Sequence, residues 1–302
     1  MRLSAAPRKF SKPLLGSYSA EDCLFLLKLV QPKFQNIENK ERLIQTGALH
    51  YSETINREIA PTEEYTTLFY ELVEKYKNRL ASEVLVLAHR ILQSRGSEIT
   101  LCSLARAGTP IGVLLQRALT RHFNANSVHY SISIIRDRGI DQIALDYILS
   151  SGRSQKGVVF VDGWTAKGVI GKELHQAVED YNQRRGTQLS KELFVISDIG
   201  GTADQQATFD DYAIPSALMN ATVSGLLSRT ILNEQIGLDD FHGCVRYQQL
   251  ASVDLSQWFV DRVSECMDPQ VDIMQNQPED KQELRKRTQR FPETHSASIS
   301  SQ

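Results

Sequence analysis

The sequence predicts an α/β protein with a mostly parallel sheet covered by helices on both faces. Three observations point there. Short apolar, β-branched runs recur at Glu98–Leu104, Ser127–Ile135, Gly157–Asp162 and Glu192–Asp198. Segments with helical apolar spacing separate them, so strands alternate with helices. The loops RAGTP, RDRG, DGWTAKG and SDIGGT follow the strand runs, where sheets of this kind bind ligands.

Each element has a local reason. Ser19-Ala20-Glu21-Asp22 reads as a helix start that CLFLLKLV continues. From Pro61 to Arg95 apolar residues recur at helical spacing, so residues 16–96 are expected to be mostly helical. The expected α/β core is 97–200, with helices at IGVLLQRALTRHF, IDQIALDYIL and Lys167–Arg184. SALMNATVSGLLSRTIL, after Pro215, reads as helical although it is rich in polar groups. SQWFVDRVSECM reads as the last helix, so 201–267 forms a hood segment and C-terminal helices. Residues 1–15 read as a flexible N-terminus, and the charged, polar stretch 268–302 as disordered.

Composition excludes several classes. The 302 residues are 41% hydrophobic, enough for a real core, and carry a net charge of −2, which gives no global attraction to nucleic acid or membranes. No apolar run approaches the roughly 18 residues of a membrane span. MRLSAAPRKFSKPLLGSYS lacks the continuous apolar stretch of a secretory signal. Cys23, Cys102, Cys244 and Cys266 are scattered without a CxxC pair, which reads as reduced thiols in a cytoplasmic protein with no zinc site.

Two loops carry candidate chemistry. In DGWTAKG, Thr165 offers a hydroxyl and Lys167 a charge, Gly163 and Gly168 permit close backbone approach, and the helix start adds free N–H groups. This fits a phosphate cradle, although the GxxxxGK[ST] spacing is missing. Asp162 at the strand end suits recognition of sugar hydroxyls beside that phosphate. An ordinary strand–helix turn capped by aspartate is the alternative. In SLARAGTPIG, small residues surround Arg106, whose guanidinium suits bidentate anion binding, while Thr109 and Pro110 look like N-cap and first helical residue. A tight turn with a solvated arginine is the alternative. Two anion sites flanking a hydroxyl acceptor suggest a pentose phosphorylated at both ends.

These loops resemble the signature loops of type I phosphoribosyltransferases: SLARAG the pyrophosphate loop, VVFVDGWTAKG the phosphoribosyl-pyrophosphate (PRPP) loop. More specifically, the chain is similar to the StiP family, a phosphoribosyltransferase-like family of bacterial tellurite-resistance and stress gene clusters, in places labelled a cysteine protease. The matching stretches are GSYSAEDCLFLLK, LIQTGALHYSE, SLARAGTPIGVLL, HYSISIIRDRGID, VFVDGWTAKG and IPSALMNATVSGLLSRTILN, from Gly16 to Asn233. The resemblance implies a type I phosphoribosyltransferase-like fold with a helical N-terminal region and a hood.

It also implies roles. Asp162 would accept from the ribose hydroxyls. Gly163, Thr165, Lys167 and Gly168 would hold the 5′-phosphate, and Arg106 with the backbone of Ala107 and Gly108 the pyrophosphate. Mg²⁺ would arrive with the diphosphate. Arg136, in RDRG, would stabilise the departing pyrophosphate; a solvated charged turn is the alternative. Asn220, Ser224 and Arg229 of the hood would read the nucleophile, with helix packing the alternative. A homodimer is common in that class. The sequence departs from the pattern in having one acidic residue, Asp162 after Val161, and a lysine inside the phosphate loop. Two other readings follow: a non-catalytic PRPP or nucleotide sensor, and a cysteine protease. For the latter, Cys23 and Cys102 read as core residues and Cys244 lies two residues from His242. Of the two HYS histidines, His129 reads as packing.

Overall fold

A strand buried on both faces must be apolar at consecutive positions, and the central strands are built that way. The computed structural model describes residues 10–32 and 50–272. Its main sheet has seven strands. The inner four are β3 (Glu98–Ala105), β4 (Asn126–Ile135), β6 (Val158–Thr165) and β7 (Leu193–Asp198). The edges are β1 (Leu24–Phe25) and β8 (Gln205–Thr208), in the order β1-β4-β3-β6-β7-β8 with every pairing parallel. β5 (Gly139–Ile140) joins β4 antiparallel. A separate pair joins β2 (Lys28–Leu29) to β9 (Gly243–Cys244).

Alternation of side chains divides the core into two layers. Ile99, Leu101, Val159, Val161, Phe194 and Ile196 pack beneath α1 (Glu63–Arg95), α2 (Thr109–Arg121) and α5 (Ser256–Ser264). Their strand neighbours Cys102, Leu104, Val158, Phe160, Leu193 and Val195 pack beneath α3 (Gln142–Ser150) and α4 (Val169–Arg185). Burying each such large side chain contributes about 1.5–3 kcal/mol. α1 starts where Thr62 Oγ1 accepts from Tyr65 N–H at 3.3 Å, and ends at Gly96 in the left-handed region, φ 78°. A four-residue helix, α6 (Pro269–Asp272), closes the described chain.

β3 neighbours both β4 and β6, and the helices that follow β3 and β4 lie on opposite faces. The strand order therefore reverses between β3 and β6. The chain leaves their carboxyl ends in diverging directions, and in sheets of this kind the ligand crevice lies at that point.

Several expectations are corrected. Ser19–Asp22 forms a turn, with Asp22 N donating to Ser19 O at 3.1 Å, and the next residues run extended as β1 and β2. A short apolar run suits helix and buried strand equally, and here pairing with β4 decides. Within 16–96, the described helix is thus α1 alone. SALMNATVSGLLSRTIL is not a helix. It contains the short 3₁₀ turns Pro215–Ala217 and Ala221–Val223, then Gly225 and Leu226 in the left-handed region at φ 77° and 59°. That reversal lets Ser228 N pair with Val245 O at 2.9 Å instead of continuing a helix. RDRG is the tip of the β4–β5 hairpin rather than a strand–helix loop. β6 runs three residues past Asp162 to Thr165. Leu14, in the stretch expected to be flexible, bridges Phe25. Residues 1–9 and 273–302 of the two expected mobile ends lie outside the described residues.

Candidate functional site

Both predicted loops stand at the crevice. β3 ends at Ala105, the Ala105–Arg106 peptide is cis, and the chain turns through Arg106–Gly108 into α2. Gly108 N donates to Leu104 O and Thr109 N to Arg106 O, both at 3.0 Å. The N-cap is Gly108 rather than Thr109, which turns inward with Oγ1 2.8 Å from Ser131 Oγ. A Cβ at Gly108 would lie 2.8 Å from the Val161 carbonyl oxygen. The Arg106 loop is therefore seated against the main chain of β6, one residue before Asp162.

Asp162 is partly buried, and its Oδ1 accepts from Gly163 N at 2.8 Å. Burial pushes its carboxyl up to about 7 against the opposing pull of that N–H. The following loop rests on the loop after β7. Thr165 O accepts from Ile199 N at 3.0 Å, Thr165 Oγ1 lies 3.5 Å from Thr202 Oγ1, and Asp198 accepts from Thr202 N and Ala203 N at 2.9 Å. Gly168, the N-cap of α4, is left-handed at φ 68°, and a Cβ there would meet Thr202 Cβ at 2.8 Å. Lys167 and Trp164 are exposed at this rim, and Thr165 is buried.

Arg106 reaches across to two other segments. Its Nη1 pairs with Glu58, and its Nη2 donates to Asn220 Oδ1 at 2.8 Å. The second Glu58 oxygen accepts from Ala221 N at 3.1 Å. Asn220 is thus brought to the site. Arg229 instead turns to residues 50–62, donating from Nη2 to Tyr51 O at 2.7 Å and Thr54 O at 2.5 Å. Burial, opposed by Tyr51 and reinforced by the charge of Arg106, pushes the Arg229 guanidinium down. Ser224 is buried at the end of a single 3₁₀ turn, so the helix face it was expected to share with Asn220 does not form. Arg136 is exposed at the hairpin tip, its N–H donating to Tyr51 Oη at 2.8 Å, while Glu173 of α4 accepts from Asp137 N and Gly139 N at 3.0 Å. Ala107 is exposed beside Arg106.

Sequence reading missed Glu58, Tyr51 and the cavity of about 200 Å³ beside Glu58, lined by Ile59, Tyr65, Met219, Leu250 and Asn220. No motif surrounds Glu58; only the fold brings it to Arg106.

The thiols sit elsewhere. Cys23, Cys102 and Cys244 are buried, and burial pushes all three up, Cys244 to about 12. The Nδ1 of His242 lies 2.8 Å from Ser133 Oγ. His129 is buried between Ser103 Oγ and Asp22 O, each 2.7 Å from a ring nitrogen, and burial pushes it down to about 4. This is the packing role expected of it. Among the described residues no group of three or more His, Cys, Asp or Glu side chains is placed to hold a metal ion, and no helix is long and apolar enough to cross a membrane.

A solved structure described as "Analysis of an invariant aspartic acid in HPRTs-alanine mutant" covers 44% of this chain and 77% of that chain, at 18% identity and a TM-score of 0.32. A likeness that low says nothing about activity. A curated relative, "Cysteine protease StiP" of Acinetobacter baylyi, is 40% identical over 259 residues, 83% of this chain and 67% of that protein. The family described as "Tellurite-like stress resistance cysteine protease StiP" matches residues 16–264. On a match of that extent and a relative of that identity, the chain belongs to the StiP family.

Proposed function

We propose that the crevice binds Mg²⁺-chelated PRPP and transfers its phosphoribosyl group to a nucleophile, with release of pyrophosphate. One observation carries the reading: the Arg106 loop and the Asp162 strand touch main chain to main chain at the reversal of strand order. A single pentose bisphosphate-type ligand can then span a cation on one loop and a hydroxyl acceptor on the other. In this reading the Asp162 carboxylate accepts from the ribose hydroxyls. Thr165, Lys167 and the Gly163 and Gly168 backbone hold the 5′-phosphate. Arg106 and the Ala107–Gly108 backbone hold the diphosphate, and Mg²⁺ enters chelated by it as part of the substrate. As the C1–oxygen bond breaks, the electron pair leaves with pyrophosphate, whose growing charge Arg106 stabilises. The nucleophile then bonds to C1. Arg136, at the exposed hairpin tip, reaches the leaving group only if that tip folds inward.

The family description favours a second reading, a cysteine protease. That chemistry needs an accessible thiolate beside a histidine. The burial of Cys23, Cys102 and Cys244 weighs against it. A sensor that binds PRPP without turnover is the third reading, which the single acidic residue favours.

Calorimetric titration of Mg²⁺–PRPP into the wild type, Asp162→Ala and Arg106→Ala tests the proposal. Saturable binding weakened tenfold or more in each variant, about 1.4 kcal/mol, is the expected result. No binding to folded wild type overturns both the transferase and the sensor. Pyrophosphate release separates those two. Peptidase activity lost on Cys→Ala substitution would establish the protease instead.

A further inference from the structure

Arg106 is already occupied. Its guanidinium meets the Glu58 carboxylate, and the other carboxylate oxygen accepts from Ala221 N–H at 3.1 Å. A guanidinium and a backbone N–H converging on one anion form the same donor set that binds a phosphate or carboxylate ligand. The neighbouring Arg229 adds a second positive charge, and its buried Nη1 has no hydrogen-bond partner among the described residues.

The segment bearing Glu58 is arranged for release. Residues 51–56 are tied down: Arg229 holds Tyr51 O and Thr54 O, Glu53 pairs with Arg138 at 2.5 Å, Ile55 is buried, and Tyr247 Oη donates to Asn56 O at 3.2 Å. Beyond that anchor Arg57, Ile59 and Ala60 are exposed, and Glu58 between them is half-buried against Arg106. Residues 56–61 form no helix or strand. Glu58 can swing out without opening the core.

We propose that Glu58 is the resident anion of the Arg106 site: an internal carboxylate that keeps the donors in place and that a phosphorylated ligand displaces. The inference rests on the reading of Arg106 as an anion-binding residue. Displacement costs the same for every ligand, so weakly held anions stay excluded while a tightly held, metal-chelated diphosphate enters.

The test uses Mg²⁺–pyrophosphate as the probe. Glu58→Gln keeps the shape and the acceptor for Ala221 N–H and removes only the charge. Calorimetry should show affinity at least tenfold tighter in Glu58→Gln than in wild type, and the gain should vanish in Glu58→Gln/Arg106→Gln. Equal or weaker binding by Glu58→Gln, with wild-type binding still lost in Arg106→Gln, overturns the resident anion and leaves the transferase reading standing. Absence of binding in wild type and Glu58→Gln alike overturns both. Hydrogen exchange on the wild type gives an answer independent of the variants' folding. On adding Mg²⁺–pyrophosphate, residues 56–62 should exchange several-fold faster while 104–109 slow. Slower exchange in both segments means that Glu58 stays in place, and the inference fails.

Discussion

Arg117 and Asp22 form a two-point ion pair in the interior, Nε to Oδ1 at 2.9 Å and Nη2 to Oδ2 at 2.7 Å. Arg117 belongs to α2, the helix that opens at the Arg106 loop, and Asp22 leads into the edge strand β1. The same guanidinium reaches Asp261 of α5 at 2.8 Å. Three elements are thus pinned at one cation in the C-terminal half of α2, away from the end that opens at the Arg106 loop.

Asp22→Asn should destabilise the protein by about 3 kcal/mol, the low end for a broken buried pair because Asp261 remains. Urea unfolding measures it. The effect should also depend on pH. Burial raises the Asp22 carboxyl, but the hydrogen bond and charge of Arg117 outweigh it and hold it below its ordinary value. A depressed carboxyl contributes stability above the unfolded value of about 4, lost as pH falls through the folded value. Wild type and Asp22→Asn should therefore converge in stability in acid.

Asp162 has the opposite sign. Its folded carboxyl is raised to about 7, so ionisation there opposes folding. The protonated form's advantage is fully present below the unfolded value of about 4 and is lost as pH rises through 7. Asp162→Asn should match wild type in stability near pH 4 and exceed it near pH 8 by on the order of 1–4 kcal/mol, the upper figure applying only without solvent contact. Mg²⁺–PRPP affinity should strengthen through pH 7 in wild type more steeply than in Asp162→Asn, because the carboxyl becomes an acceptor at both oxygens there while the amide does not titrate.

Gly108→Ala should cost ligand binding more than fold. Its Cβ would press on the Val161 carbonyl at 2.8 Å and Leu104 N at 3.0 Å, forcing the Arg106 loop off β6. Gly112→Ala should do the reverse. Its Cβ would fall 2.3 Å from His129 Nε2 in the core, an overpacking cost of roughly 1–3 kcal/mol that leaves the loop seated. Thermal unfolding and calorimetry on the two variants separate the effects.

Thiol labelling of the native protein should modify Cys266 first, because Cys23, Cys102 and Cys244 are buried. The buried three should react only at the rate of unfolding. If Cys244 labels quickly in the folded protein and labelling abolishes a peptidase activity, the protease reading gains the accessible thiolate it needs.

The inner strands were legible because a doubly covered strand has few alternatives to an unbroken apolar run, as in Val158–Val161. Both crevice loops were legible because small residues around one charge, after such a run, imply close backbone approach. The edge segment Leu24–Leu29 was not legible, since a run of that length carries no period of its own and β4 decides its form. The hood segment misled because its apolar spacing is helical, while Gly225 and Leu226 reverse the chain in a way that composition does not announce. Glu58 was invisible for another reason, since no motif surrounds it, and Arg229 was named without its partners: one arginine looks much like another until the fold shows which faces a carboxylate and which faces the carbonyls of Tyr51 and Thr54.

The contact between Gly108 and the Val161 carbonyl has a consequence for redesign. It fixes the span between the two halves of the crevice by backbone alone, independent of which side chains line it. On the proposed reading, replacing Asp162, Lys167 or Arg106 alters what is gripped but not the distance between the grips. The crevice behaves as a caliper with a set jaw and exchangeable tips, and a ligand of another length would require moving a glycine rather than changing a charge.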